Sequence, residues 1–331
     1  MGKVLVTGAT GFVGAALVKQ LLGQGQQVRI TVRRKSDLRN IQGLDVEMAE
    51  ADILDADGLR TAIKGCSALY HVAGLYRTWM RDYGLLQQVN VEGTRNVLAA
   101  ARDAGVEKVV HTSSIGALGL REDGKPSDEN TAFNLYALQL PYEASKFESE
   151  QVALAFARDG LPLVVVRPAL VMGEGDMYPT PSGKVVLDVL LGRIPSYFEG
   201  GIDVVDVADV AAGHILAMEK GVAGASYNLG CVSNFTTMQN LFGLIAAEGG
   251  VAAPRLRVPV FMALQWARLL TALSDYITHR EPLATPANIQ ALAMKKRVDF
   301  SRAVSELGIP QTRLPAIIAK TVSWYRKEGY I

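Results

Sequence analysis

The 331-residue chain is poor in the residues that usually advertise a metal site or a disulfide scaffold. It has two cysteines, Cys66 and Cys231, far apart in sequence. They supply neither a disulfide framework nor a metal-ligand set, and buried free thiols are the expectation. The four histidines, His71, His111, His214 and His279, show no HExxH-type spacing. No sign of charge dominates: 34 Lys and Arg against 33 Asp and Glu leave a net charge of +1. A whole-molecule field that would gather nucleic acid or an anionic surface is thereby excluded. No long uninterrupted apolar run exists. The most apolar stretch, residues 258–277, is broken by Gln265, Arg268, Ser274 and Asp275, which makes it a poor membrane span. Ordinary packing is the expectation for it, with a membrane-surface helix as the alternative. No charged leader with a long apolar run opens the chain, and position 6 is Val6 rather than the Ser or Thr of a myristoylation signal, so a cytoplasmic location is expected.

What is present is a core-forming composition, 49% hydrophobic and 20% charged. Apolar runs at 4–7, 28–32, 46–50, 68–72, 108–113 and 163–167 read as strands covered on both faces. Helical patterns at 14–22, 56–64, 85–103 and 142–158 lie between them. Such alternation predicts an α/β, Rossmann-type doubly wound parallel sheet. After residue 172 the pattern breaks at a run rich in Pro and Gly, 173–183. Residues 1–172 are therefore expected to form a dinucleotide-binding domain, and 173–331 a substrate-binding lobe interleaved with the last sheet strands. Helices are expected there at 184–191, 207–219, 237–247, 260–276 and 314–326.

Thr7-Gly-Ala-Thr-Gly-Phe-Val-Gly14 follows the first strand and opens a helix. Gly8 permits the tight turn, Gly11 lets a pyrophosphate approach the backbone, and Gly14 lets the helix sit close to the strand. Free N–H groups at the helix start then face the anion, and Thr7, Thr10, Phe12 and Val13 join the three glycines as candidate cofactor contacts. A mere tight turn would share the spacing, but not the strand–turn–helix setting. The second strand ends in Arg33-Arg34-Lys35, where a cofactor lacking a 2′-phosphate usually meets an acid. The basic end favours NADP(H), with Arg33 the leading contact and Arg34 beside it; a solvated basic cluster is the rival. Asp52 is a candidate acceptor for the adenine amino group, with Ile53 beside the ring, whereas Asp55 better suits a helix N-cap.

Tyr142-Glu-Ala-Ser-Lys146 puts a phenol and an ammonium four apart, on one helical face. A nearby ammonium stabilises the phenolate, so the pair can move a proton near neutrality. YxxxK alone occurs by chance in many helices. Ser113 and Ser114 end a strand, where open α/β sheets expose groups to ligand.

With these motifs the chain resembles the extended short-chain dehydrogenase/reductases, in particular dihydroflavonol-reductase-like proteins and, within those, the hopanoid-associated sugar epimerase group. The matching segments include the glycine turn, His71-Val-Ala-Gly74, Asn90-Val-Glu-Gly-Thr-Arg-Asn-Val97, Thr112-Ser-Ser114, Tyr142 to Lys146, Arg167-Pro168, Pro179-Thr-Pro-Ser-Gly183 and Ser305-Glu-Leu-Gly308. The resemblance implies Ser114 as the catalytic serine, Tyr142 as acid/base, and Lys146 as its partner and ribose ligand. It implies that Asn90 supports the site, an arrangement that can run through water. Val72, Ala73 and Gly74 would line the cofactor channel, and Pro168 would lie near the nicotinamide. The chain departs from the group in Arg167-Pro168, where Asn-Pro is common, and in Tyr-Glu-Ala-Ser-Lys, where Tyr-Lys-Arg-Ser-Lys is common.

The expected activity is hydride transfer between NADP(H) and a carbonyl or secondary alcohol. The apolar run 133–140 and Tyr178, Tyr197 and Phe198 favour a fairly hydrophobic small molecule, although core packing explains them equally. The alternative is a sugar-nucleotide epimerase or dehydratase, with Lys184 and Arg193 free for a diphosphate. A third is a dinucleotide-binding protein without catalysis. Neither nucleic acid nor a resident metal is expected, and a homodimer through 85–103 and 142–158 fits the resemblance.

Overall fold

A computed structural model describes residues 2–331. Its main sheet is built from β1 (Lys3–Thr7), β2 (Val28–Val32), β3 (Glu47–Glu50), β4 (Cys66–His71), β5 (Lys108–Thr112) and β6 (Leu163–Pro168), with helices between them. The helices are α1 (Phe12–Gly23), α2 (Ala56–Ile63), α3 (Gly84–Leu86), α4 (Gly93–Asp103) and α5 (Pro141–Arg158). Then come β7 (Leu170–Met172), α6 (Pro181–Leu190), β8 (Ser196–Phe198), β9 (Gly201–Asp206), α7 (Val207–Lys220) and β10 (Ser226–Leu229). The rest comprises β11 (Phe235–Thr237), α8 (Met238–Gly249), β12 (Leu256–Val258), α9 (Val260–Leu273), α10 (Pro286–Ala293) and α11 (Leu314–Lys327).

The seven-stranded sheet runs β10-β6-β5-β4-β1-β2-β3, parallel throughout. Strand order reverses between β1 and β4, so a crevice opens there beyond the strand C-termini. Both faces are dry. Val4, Val6, Ile30, Val110 and Val164 pack with Leu17, Val18, Val210 and Ile215 from α1 and α7. Leu5, Leu69, Val109, Leu163 and Val165 pack with Leu59, Val97, Leu98 and Ala153 from α2, α4 and α5. Near-continuous apolar strands follow from this double covering.

Beyond residue 172 a third core joins Val186, Leu190, Leu241, Ile245, Ile317 and Val322 of α6, α8 and α11. A three-stranded sheet β11-β9-β7 and a pair β12-β8 complete this lobe. The chain nevertheless returns to the main sheet through β10, which pairs with β6.

Three expectations need correction. The helix expected over 85–103 is interrupted by a π-turn, Gln87–Glu92. The helix α10 lies where none was expected, started by the Thr285 hydroxyl, which accepts from the Asn288 N–H, and by Pro286. Finally, α9 does not pack in the ordinary way. Ala267 is its one buried residue, while Phe261, Trp266 and Leu269 face outward. No helix among the described residues is long and apolar enough to cross a membrane.

Candidate active site

The glycine turn is shaped by space. Gly8 has φ +71°, and a Cβ there would lie 2.6 Å from the Ala73 nitrogen at the end of β4. A Cβ on Gly14 would lie 2.2 Å from the Gly8 carbonyl oxygen. The turn thus closes against both the neighbouring strand and its own helix, which only glycine allows. Asn40 pins it from outside, donating to the Thr10 carbonyl at 3.1 Å. Gly11 is the N-cap of α1 and no side chain caps it, so the first N–H groups, including those of Phe12 and Val13, are left for an anion.

At the end of β2, Arg33, Arg34 and Lys35 are exposed and make no ion pair among the described residues. The nearest acid in sequence, Asp37, is paired with Arg39 at 2.9 Å. Asp52 is half-buried and one of its oxygens accepts from the Leu54 N–H at 2.9 Å. Asp55 caps α2 through the N–H groups of Asp57 and Gly58. Ile53 presses on α4, where a Cβ at Gly93 would lie 2.6 Å from its Cδ1. Val72 and Ala73 are half-buried at the end of β4, and Pro168 is buried at the end of β6. These residues fit a dinucleotide: a cradle cleared of side chains, free backbone donors and unpaired cations at the ribose end.

Across the crevice, Tyr142 and Lys146 project from the first turns of α5, which Pro141 begins. The Tyr142 ring and the Ser114 hydroxyl, just beyond β5, come together over Gly116, where an added Cβ would stand 3.7 Å from Tyr142 Cε1 and 3.3 Å from Ser114 Oγ. Burial raises the phenol's pKa and the Ser114 hydroxyl pulls it back. Ser114 Oγ also accepts from the Gly116 N–H at 3.0 Å, which fixes its rotamer. Ser113 differs: its Oγ is buried and has no hydrogen-bond partner among the described residues.

The Lys146 ammonium donates to the Thr112 carbonyl at 2.7 Å, and burial pushes its pKa down to about 8. A Cβ on Gly74 would stand 3.8 Å from Lys146 Nζ, so the buried lysine lies beside the chain that leaves β4. Thr112 is held in turn by His214, whose Nδ1–H donates to the Val210 carbonyl at 2.7 Å while Nε2 meets the Thr112 hydroxyl at 2.8 Å.

Asn90 sits in the π-turn, where it makes three contacts. Its Oδ1 accepts from the Leu75 N–H at 2.7 Å, and its Nδ2 donates to the Leu75 carbonyl at 3.1 Å and to Ser145 Oγ at 2.9 Å. The link to α5 is therefore direct and needs no water. π-Turns are frequent at functional sites because the extra residue re-aims a side chain. Beneath lie His71 and His111, with pKa lowered by burial, to about 3 for His71. His71 bridges Thr7 (2.8 Å) and Thr94 (3.0 Å) as a neutral ring. Its task is to tie β1 to α4, not to transfer protons.

Sequence reasoning missed Tyr76. Its ring lies 4.5 Å from that of Tyr142, on the loop after β4. Its place two residues past Gly74, beyond a strand C-terminus, was the available signal. It missed Thr112 and His214 too, since nothing local marks their contact.

Several residues singled out for substrate have other partners. Lys184 is ion-paired with Glu281, and Arg193 with Asp188 at 3.2 Å, so neither is free for a diphosphate. Phe133 and Tyr136 pack on Phe147, and Tyr178 lies under the Arg39 guanidinium at 4.7 Å. Tyr197 packs against the lobe core. Each of these aromatics thus has a packing partner, while Tyr136 and Tyr178 stay about half exposed. The departure at Arg167 is also explained: its Nε donates to Glu150 of α5 at 2.9 Å, and both side chains are buried.

The family model described as the NAD-dependent epimerase/dehydratase family matches residues 4–230. The chain belongs to that family, within the extended short-chain dehydrogenase/reductases, and is a nicotinamide-dependent oxidoreductase. It is 38% identical to a Synechocystis protein carrying a provisional dihydroflavonol 4-reductase name, over 98% of this chain and 95% of the relative. It is 37% identical to sterol demethylase protein B of Methylococcus capsulatus, over 99% of each. Among solved structures, gox2253 superposes with a TM-score of 0.86 at 37% identity, covering 99% of both chains.

Proposed function

We propose that the chain is an NADP(H)-dependent reductase of a ketone or aldehyde, acting in reverse on the corresponding alcohol. The approach of the Ser114 hydroxyl and the Tyr142 phenol to each other at the end of β5 carries this reading. A carbonyl oxygen seated at those two hydroxyls would be oriented by Ser114 and protonated by Tyr142. The bound cofactor would supply the hydride to the carbonyl carbon. Burial keeps the phenol protonated, which suits the acid role in the reducing direction. Lys146 provides the positive charge one turn away that offsets the phenolate left behind, and its proximity to Gly74 suits contact with the nicotinamide ribose. Arg33, with Arg34 beside it, would hold the 2′-phosphate, a task that fits their exposure and lack of acidic partners. Thr7, Gly8, Thr10 and Gly11 would cradle the pyrophosphate, Asp52 and Ile53 the adenine, and Pro168 the nicotinamide side. The lobe from residue 173 onward would close the substrate side.

Reductase names among the relatives agree with this: a cinnamoyl-CoA reductase of Oryza sativa is 38% identical over 68% of the chain. The family also contains sugar-nucleotide epimerases, which re-reduce the substrate they oxidise. Against that reading, the two basic residues suited to a diphosphate, Lys184 and Arg193, are already ion-paired. Incubation with NADPH and a panel of ketones and aldehydes, followed by reduced-nicotinamide absorbance, separates the two. Net oxidation supports the reductase. No net oxidation, together with isomerised UDP-sugar in a parallel incubation, rejects it.

A further inference from the structure

The helix α9 is apolar on both faces, and it buries the wrong one. Its inward line is Val260, Ala263, Leu264, Ala267 and Leu270, mostly small or partly covered. Its outward face carries Phe261 (66% exposed) and Trp266 (60%), with Leu269 beside them. Past the helix end Tyr276 (83%) and Ile277 (69%) are exposed as well. A water-facing helix normally keeps bulky apolar residues for the core. Bulky apolar residues left exposed in such number along one segment point to an interaction surface.

The charges around it are mostly positive. Between residues 251 and 281 stand Arg255, Arg257, Arg268 and Arg280, against two acids, Asp275 and Glu281, the second paired with Lys184. Asp275 is engaged, accepting from Trp79 Nε1 at 2.8 Å, and Arg257 is paired with Glu199 at 3.2 Å. Arg255, Arg268 and Arg280 are exposed and make no ion pair among the described residues. In a chain whose net charge is +1, this is a local excess. Bulky apolar residues with a tryptophan and a tyrosine, rimmed by arginine, match the interface of an anionic bilayer, where the rings sit at headgroup depth and the guanidinium groups meet phosphate.

The patch also adjoins the catalytic side. The Trp79–Asp275 bond ties α9's C-terminal end to the loop after β4 that carries Tyr76. Between them lies a cavity of about 510 Å³ lined by Trp79, Met80, Arg81, Tyr83, Thr271 and Asp275, with His279.

We propose that the outward face of α9, with residues 276–277, seats this protein on an anionic lipid surface. The ketone it reduces would then be a lipophilic molecule dissolved in that layer, entering beside Trp79. The substrate clause rests on the reductase reading above; the docking itself does not.

The test is co-sedimentation of the full chain with vesicles of phosphatidylcholine, alone or mixed with phosphatidylglycerol. Binding to the mixed vesicles is expected, with a blue shift of tryptophan emission, and it should weaken with added salt. Phe261→Gln with Trp266→Gln should lower partitioning by about a hundredfold or more, from the apolar area withdrawn. Neutralising Arg255, Arg268 and Arg280 together to Gln should lower it by about a hundredfold, near fivefold each. All these positions are exposed, and an unchanged melting temperature verifies the fold. Reduction of a water-soluble ketone should be unaffected in both variants, which separates loss of docking from loss of catalysis. Failure of the wild type to bind mixed vesicles, or binding that the apolar variant retains, would overturn the proposal. So would a dimer of the wild type that the same variant dissolves and that leaves no vesicle binding, because a second copy would then cover the face.

Discussion

Lys146 on α5 donates to the backbone carbonyl of Thr112 at the end of β5, 2.7 Å away, and so locks the helix that bears Tyr142 to the strand that leads to Ser114. The bond joins two elements of the crevice through one ammonium, whose charge is expected to bear on both activity and stability.

Burial holds the Lys146 pKa at about 8, below the ordinary 10.5. Ketone reduction should therefore fall as pH rises through about 8, when the ammonium beside the phenol discharges. Between those two values the unfolded chain keeps a proton that the folded chain has lost, so this group makes the fold more stable as pH rises. Activity and this part of the stability should move in opposite directions. Lys146→Arg stays charged and should shift the alkaline fall in kcat/KM upward. An alkaline limb in the same place in Lys146→Arg would detach it from this residue.

Arg33→Asp should weaken NADPH relative to NADH by about ten- to hundredfold, the worth of a charge-assisted hydrogen bond. Binding titrations with both nucleotides measure the ratio, and an unchanged ratio would reject the 2′-phosphate contact.

Gly14→Ala puts a methyl group 2.2 Å from the Gly8 carbonyl oxygen, a backbone atom that cannot step aside. A loss of about 1–3 kcal/mol is expected in chemical denaturation, with weaker nucleotide binding because the turn must open. A variant as stable as the wild type would show that the turn is looser than described.

Glu150→Gln leaves the buried Arg167 guanidinium without its counter-charge. Removing one partner of a buried pair costs about 3–5 kcal/mol. Thermal unfolding of this variant should show a marked drop, whereas replacing both residues by apolar ones should recover much of it.

The parallel sheet and the cofactor turn were legible because their causes are local. Apolar runs mark doubly covered strands, and the spacing of Gly8, Gly11 and Gly14 encodes a turn without side chains. The spacing of Tyr142 and Lys146 likewise put both on one helical face. The partners were not legible, since they come from distant sequence. Nothing near Arg167 announces Glu150 on α5, and nothing near Lys184 announces Glu281. The π-turn at Asn90 escaped because an inserted residue leaves the apolar rhythm of 85–103 nearly intact. The exposed side of α9 escaped for a related reason: composition says how apolar a helix is, and only its neighbours say which face they cover.

The most direct measurement is the turnover of NADPH with a ketone substrate by Tyr142→Phe, alongside its affinity for NADPH. Removing the hydroxyl proposed as proton donor should lower kcat by at least about a hundredfold, as loss of a general acid does, and leave NADPH affinity near that of the wild type. Turnover retained at the wild-type rate would contradict the assignment of Tyr142 as the proton donor.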